Sequence, residues 1–95
     1  MSVRITCINK DGGNHQNQHE AITHYGWINE NNNETGRSTR AEMVAFIEEK
    51  NGQAYVGTGS NKAVCQVRKN QFGTKFLQTV SDGTWSNNLL SLPEC

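Results

Sequence analysis

The fold is decided by the stretch STRAEMVAFIEEKNG, residues 38–52, which predicts a single helix. Thr39 and Glu42 form a capping box, in which each side chain accepts a hydrogen bond from an otherwise unpaired backbone amide. Ser38 is a competing cap one residue earlier. The apolar stripe of the helix consists of Met43, Val44, Phe46 and Ile47. Asn51-Gly52 is expected to end the helix, because glycine adopts the left-handed backbone conformation without steric penalty.

Strand-like segments lie on both sides of this helix. In residues 3–9, Val3, Ile5 and Cys7 fall on one face, and this period of two indicates a half-buried strand. Residues 21–28 are β-branched and aromatic on both faces, which favours a central strand. Three further strands are predicted after the helix, at residues 54–57, 63–69 and 75–80. The last two of these form a hairpin.

Polar stretches between these segments predict loops. Neither the amide-rich residues 14–19 nor the low-complexity tract 29–36 can bury a face, and the second is predicted to be a mobile loop. Asp82-Gly83 is a turn signal, and the tail 86–95 carries three leucines, so it is expected to dock. The predicted order is β-β-α-β-β-β with a docked C-terminal tail. It indicates a single α+β domain, residues 1–95, in which a single helix packs on an antiparallel sheet.

The composition argues against several classes of protein. Nine basic and nine acidic residues give no net charge, so no global field attracts nucleic acid or an anionic membrane. The apolar runs are far shorter than the ~20 residues that a membrane span requires. The first residues lack the apolar core and cleavage site of a secretion signal.

The cysteines predict the compartment. Cys7, Cys65 and Cys95 are an odd number without C-x-x-C spacing, which indicates free thiols in a reducing compartment. Cys7 and Cys65 are expected to pack as small apolar residues, and Cys95 to fray at the end of the chain. A cytoplasmic location follows from this interpretation.

Three stretches resemble a known family. They are ITHYGW at residues 22–27, TRAEMV at residues 39–44 leading to AYV at residues 54–56, and DGTWSNNLLSLPEC at residues 82–95. In this order they resemble a family of small bacterial and phage domains catalogued as domain of unknown function 3892. The resemblance covers nearly the whole chain and implies a stand-alone domain in a bacterial or phage setting. It implies no catalytic residue, substrate or cofactor.

Metal binding and catalysis are weakly signalled. His15, His19 and His24 lie close in sequence, but no helix aligns them and no motif supplies a fourth ligand. We expect His15 and His19 to be solvated loop residues and His24 to be a hydrogen-bonded strand residue. A zinc site and a small enzyme centred on His24 stay as alternatives. No nucleophile motif surrounds any cysteine, so the chain is predicted to be neither an enzyme nor a cofactor-binding protein.

A basic hairpin raises nucleic-acid binding as an alternative function. It carries Lys62, Arg68, Lys69 and Lys75, and no carboxylate occurs in residues 62–80. Three aromatic residues there or nearby could stack on bases: Phe72, Phe76 and Trp85. The competing interpretation is a solvated hairpin whose cations protect a strand edge.

Protein interaction is the leading prediction. A small neutral domain without a catalytic signature is expected to be a non-enzymatic interaction or accessory module, such as a regulator or inhibitor of a protein partner. The candidate binding residues are His24, Tyr25, Trp27, Trp85 and Asn87, since aromatic residues are enriched at binding hot spots. Either tryptophan could instead belong to the thin core of a 95-residue chain, and Asn87 could satisfy backbone groups.

Overall fold

The computed structural model of the chain describes residues 2–11, 18–57, 62–81, 84–86 and 89–95. Seven strands and one α-helix occur within these residues: β1 Ser2–Lys10, β2 Ile22–Asn29, β3 Glu34–Thr39, α1 Arg40–Glu48, β4 Gln53–Val56, β5 Ala63–Lys69, β6 Lys75–Ser81 and β7 Thr84–Ser86. The same residues include two short 3-10 helices, Gln18–Ala21 and Leu89–Ser91. None of the described helices is long and apolar enough to cross a membrane.

The seven strands form one sheet in the order β3-β2-β1-β4-β5-β6-β7. Every neighbouring pair is antiparallel except β1 and β4, which are parallel. The α+β class is confirmed, but the wholly antiparallel sheet is wrong. The reason is the connection through α1, which leads the chain from β3 across to the other side of β1. β4 therefore starts at the same end of the sheet as β1 and runs parallel to it.

The predicted strand order also lacked β3 and β7. The tract predicted to be a mobile loop turns at residues 30–33 and then enters β3. The Asn29 side chain accepts a hydrogen bond from the Asn31 amide at 3.0 Å, and the Asn32 side chain accepts one from the Glu34 amide at 2.9 Å. β3 is a polar edge strand held by backbone pairing to β2, so no buried side-chain pattern marks it in the sequence.

An irregularity in β1 changes which residues reach the core. The pairing of β1 with β2 shifts register between Ile5 and Cys7, as in a β-bulge. Val3, Ile5 and Ile8 are therefore buried, and the predicted shared face of Val3, Ile5 and Cys7 is wrong. Cys7 pairs instead with Gly26 in the neighbouring strand.

Helix α1 begins as predicted. The Glu42 amide donates to Thr39 Oγ1 at 3.1 Å, and the Thr39 amide donates to Glu42 Oε1 at 2.8 Å, so the capping box is confirmed. Met43 and Val44 are buried in the core, against which Phe46 and Ile47 also pack. The helix therefore covers one face of the sheet with its apolar stripe.

The end of α1 differs in detail from the prediction. Asn51, with φ of 54°, adopts the left-handed conformation that the sequence predicts for Gly52. Gly52 lies against the ring of Phe46, where a Cβ atom would collide with it. The glycine is thus required by close packing rather than by its backbone angles.

The C-terminal tail docks as predicted. Leu89 is fully buried, and Leu90 and Leu92 pack against the core. The Ile8 amide donates to the Pro93 carbonyl at 3.0 Å, and the Cys95 amide donates to the Ile8 carbonyl at 3.1 Å. The predicted turn at residues 82–83 lies outside the described residues.

The prediction of three free thiols is wrong. Cys7 and Cys95 form a disulfide, although 88 positions separate them, and Cys65 is free and buried. The pairing has no local signature, because it depends on the tail returning to β1 after every other strand has been placed. Cys65 does pack in the core as expected, and burial raises its pKa to about 12.

Candidate functional site

Tyr25 is not available as a surface anchor. Its side chain is 0% exposed, because alternation along β2 places it on the core face, and it pairs with Ile8. Burial raises the pKa of its phenol well above the usual value. Its role is to fill the core.

Trp27 lies on the same face of β2 and is half-buried against the core. Its indole N–H donates to Ser38 Oγ at 3.1 Å, which explains why Ser38 is not the helix cap. With Met43 and Phe46 it lines a small groove of about 290 Å³ beside α1. Trp27 is therefore mainly a structural residue with one side open to this groove.

His24 occupies the opposite face of β2, as its odd spacing from Tyr25 and Trp27 requires. Its Nδ1 lies 3.0 Å from Thr23 Oγ1, so the predicted hydrogen-bonded strand residue is confirmed. Because Tyr25 is buried, His24 and Tyr25 do not form a shared exposed surface. The side chain of Trp85 and the whole of Asn87 lie outside the described residues.

His19 is not a solvated loop residue. It belongs to the first 3-10 helix and is 1% exposed, since this helix packs against β6. Burial, and secondarily the charge of Arg68, lower its pKa. His15 lies outside the described residues, and the described part of the chain contains no cluster of three or more His, Cys, Asp or Glu residues suited to a metal ion.

The four cations of the basic hairpin do not form one patch. The Lys62 ammonium lies 4.2 Å from the centre of the Tyr55 ring, at the opposite end of β5 from Lys69. Arg68 donates to Gln78 Oε1 at 2.7 Å. Lys75 pairs with Glu48 at 2.7 Å. Lys69 is exposed and lies opposite Lys75 in the β5–β6 register.

A polar cluster joins β1, β4 and the turn between β2 and β3. The Tyr55 hydroxyl donates to the Glu30 carboxylate, and Arg4 Nε lies 3.2 Å from the same carboxylate. The hydrogen bond from Tyr55 lowers the pKa of Glu30 and raises that of Tyr55. Each charged group thus has a partner within the cluster, as in a structural network.

The most exposed large apolar side chain in the described residues is Phe72, at 79%. It lies at the tip of the β5–β6 hairpin, in residues 70–74, which we call the Phe72 turn. Asn70 Oδ1 accepts hydrogen bonds from the Phe72 amide at 2.8 Å and the Thr74 amide at 3.0 Å. Gly73, with φ of 87°, occupies the position that requires a left-handed residue. The turn is therefore rigid, and it holds the ring in solvent.

Further contacts fix the Phe72 turn to the rest of the domain. Asn70 Nδ2 donates to Glu20 Oε1 at 3.3 Å, and the guanidinium of Arg40 donates to the Glu20 carbonyl. The first 3-10 helix therefore links the turn to the start of α1. The sequence pattern indicates Phe72 only as a candidate base-stacking residue. A large apolar residue inside a predicted turn is the signal that could have identified the site.

The comparisons with known proteins identify the family. Residues 4–93 match the family model described as "Protein of unknown function (DUF3892)". The chain belongs to this family. The match confirms the resemblance to domain of unknown function 3892, and it assigns no activity to the DUF3892 domain. No curated protein and no solved structure matches the chain.

The DUF3892 domain also has a polar groove beside the Phe72 turn. This groove has a volume of about 570 Å³ and lies between α1 and the start of β6. Its charged lining residues are Asp11, Arg40, Glu48, Glu49 and Lys75. The exposed aromatic ring and the charged groove together resemble the apolar anchor and polar rim of a protein interface.

Proposed function

We propose that this DUF3892 domain is a non-enzymatic interaction module that binds a protein partner through the Phe72 turn. The observation that carries the proposal is the phenylalanine ring, 79% exposed, on a turn whose geometry is fixed by Asn70. A single exposed apolar residue is ordinary on a protein surface. An apolar ring that is exposed on a turn fixed by hydrogen bonds, beside a charged groove, is better explained as an anchor for a binding partner.

Rigidity supports binding for an energetic reason. Association loses conformational entropy when loops and side chains become ordered in the interface. The side chain of Asn70 fixes the backbone of the turn in the free domain. This part of the conformational entropy is therefore lost on folding rather than on binding. The burial of the ring can then contribute more fully to affinity.

The charge of the hairpin indicates the chemistry of the partner. No carboxylate occurs in residues 62–80, and of the two lysines that face each other at the base of the turn, Lys69 is exposed whereas Lys75 pairs with Glu48. A pocket that accepts the ring of Phe72 and carries acidic residues on its rim is complementary to this surface. We therefore expect an apolar pocket with an acidic rim on the partner.

Nucleic-acid binding is the second candidate, because Phe72 and Lys69 could also contact a base and a phosphate. It is less favoured because Lys62 stacks on Tyr55, Arg68 binds Gln78 and Lys75 pairs with Glu48. These contacts direct the cations to different parts of the surface rather than along one track.

The setting of this function is part of the proposal. A bacterial or phage regulator or inhibitor of a protein partner fits the resemblance and the absence of a catalytic motif. A cytoplasmic location stays a prediction. Its argument from unpaired thiols no longer holds, because Cys7 and Cys95 form a disulfide.

The test compares the wild-type domain with Phe72→Ala and with a matched control, Gln71→Ala, on the same turn. Each is used to capture proteins from a lysate of the producing cells, and the affinity of a purified candidate is then measured. We expect the partner to bind the wild type and the control similarly and Phe72→Ala about 10- to 100-fold more weakly. The melting temperature should be unchanged, because the ring is exposed.

Two results would contradict the proposal. One is a partner that binds Phe72→Ala as tightly as the wild type. The other is binding to single-stranded oligonucleotides that weakens steeply with salt and is lost in Lys69→Ala, which would establish the nucleic-acid function instead.

A further inference from the structure

The C-terminal end of the chain completes the sheet next to β1. β4 pairs with residues 2–4 of β1 and leaves the rest of that edge of β1 for another partner. Residues 93–95, which we call the strap, occupy this edge. They form a parallel bridge in which the Ile8 amide and carbonyl each pair with the strap.

The strap is covalently attached at its last residue. The β-bulge in β1 brings Cys7 to Gly26, and the disulfide to Cys95 passes over this glycine. A Cβ atom on Gly26 would lie 2.9 Å from Cys95 Sγ and even closer to Cys7 Sγ. The bulge and the glycine are thus both needed to make room for the disulfide.

The strap is held weakly apart from this bond. Its three residues are exposed, and the described backbone contacts to β1 are the two hydrogen bonds of Ile8. Leu89, which is 0% exposed, lies outside the strap and anchors the preceding 3-10 helix in the core. A segment held by so few contacts opens readily once it is no longer tethered.

We propose that the strap is a thiol-operated closure of the β1 edge. A dithiol reductant attacks one sulfur of the disulfide as a thiolate, and the S–S bond breaks as a mixed disulfide forms. The second thiol of the reductant then displaces the protein sulfur. Cys7 and Cys95 become two thiols, and the reductant leaves as a disulfide, in a two-electron exchange. Cys95 is exposed, so the reductant has access.

The consequence is local. The strap detaches, and the backbone groups of Ile8 become an unpaired strand edge, which is a surface that can pair with another strand. Leu89 remains buried, and the sheet and α1 keep their structure. The reducing power of the compartment therefore decides whether this edge is open. The inference is independent of the Phe72 turn.

Amide hydrogen exchange of the full chain, before and after treatment with dithiothreitol, tests this proposal. Reduction should accelerate exchange of the Ile8 and Cys95 amides about tenfold or more. The reason is that the Ile8 amide donates to Pro93 in the strap and the Cys95 amide donates to Ile8, so both hydrogen bonds are lost when the strap detaches. The Leu92 amide, bonded to Leu89, and the Gly52 amide, bonded to Phe46, should exchange as before. The double variant Cys7→Ser/Cys95→Ser should exchange rapidly at Ile8 without the reductant and show no further change with it.

Three outcomes would overturn the proposal. Unchanged protection of Ile8 after reduction would mean that the strap holds without the disulfide. Faster exchange of Leu92 and Gly52 as well would mean that the disulfide stabilises the whole fold. Alkylation of all three cysteines in the denatured chain without reductant would mean that the disulfide does not form; a single reactive thiol, Cys65, is expected.

Discussion

Asn70 is the residue on which the candidate site most depends. Its side-chain oxygen accepts hydrogen bonds from two backbone amides of the turn, and its side-chain nitrogen donates one to Glu20. One residue therefore both fixes the turn and attaches it to the first 3-10 helix. An exposed ring on a loose turn would sample many positions. The hydrogen bonds of Asn70 fix the backbone of this turn, so the ring has fewer positions open to it before it binds.

We therefore predict that Asn70→Ala lowers the free energy of unfolding by about 1–2 kcal/mol, because the bonds of its carboxamide are lost. Urea denaturation measures this change. The affinity for the partner should also fall although Phe72 is retained. Gln71→Ala is the control on the same turn. Equal stability of Asn70→Ala and the wild type would show that the carboxamide does not hold the turn.

His19 makes the stability depend on pH. Burial lowers its pKa in the folded state, so between the two pKa values the unfolded chain binds the proton and the folded chain does not. The contribution of His19 to the free energy of unfolding is therefore fully present above its pKa in the unfolded chain, about 6.5, and decreases as the pH falls below that value. His19→Gln should flatten this part of the curve of unfolding free energy against pH. An unchanged slope in the variant, in urea titrations from pH 7.5 to 5.5, would assign the dependence to other groups.

Among the elements, those with local signals were predicted well. The capping box of Thr39 and Glu42 marks the start of α1 within four residues of sequence. The β5–β6 hairpin has a turn that its own residues specify, and β5 has the predicted bounds. Local hydrogen bonds and local backbone preferences determine both elements, so they can be recognised without the rest of the chain.

Elements that depend on distant partners could not be predicted in this way. β3 is polar, and it forms because its backbone pairs with the free edge of β2. The parallel direction of β4 follows from the crossover of α1. The bulge in β1 moves Ile8 into the core and Cys7 out of it, which a strict period of two cannot anticipate.

The N-terminal cap gives a prediction for the helix as an element. Thr39→Ala removes the hydroxyl that accepts the Glu42 amide, and it should lower the free energy of unfolding by about 1 kcal/mol. Urea denaturation compares it with Thr35→Ala, an exposed threonine of β3. We expect the control to change stability by less than about 0.5 kcal/mol. Equal effects of the two substitutions would argue against the cap.

At the scale of the whole molecule, a 95-residue chain uses its few apolar side chains to join one helix to a mixed sheet. Such a small domain has a limited core. The predicted aromatic anchors Tyr25 and Trp27 are taken up by this core. Phe72, which the core does not use, is the most exposed large apolar side chain of the described residues and can serve an interface.

The most direct test of this account is a footprint of the bound partner. Amide chemical shifts of the isotopically labelled domain are recorded as the captured partner is added. We predict that the largest changes fall in residues 70–74 and along the charged groove beside α1, with little change around Trp27. Changes centred on Trp27 and Phe46, with the Phe72 turn unaffected, would contradict the account.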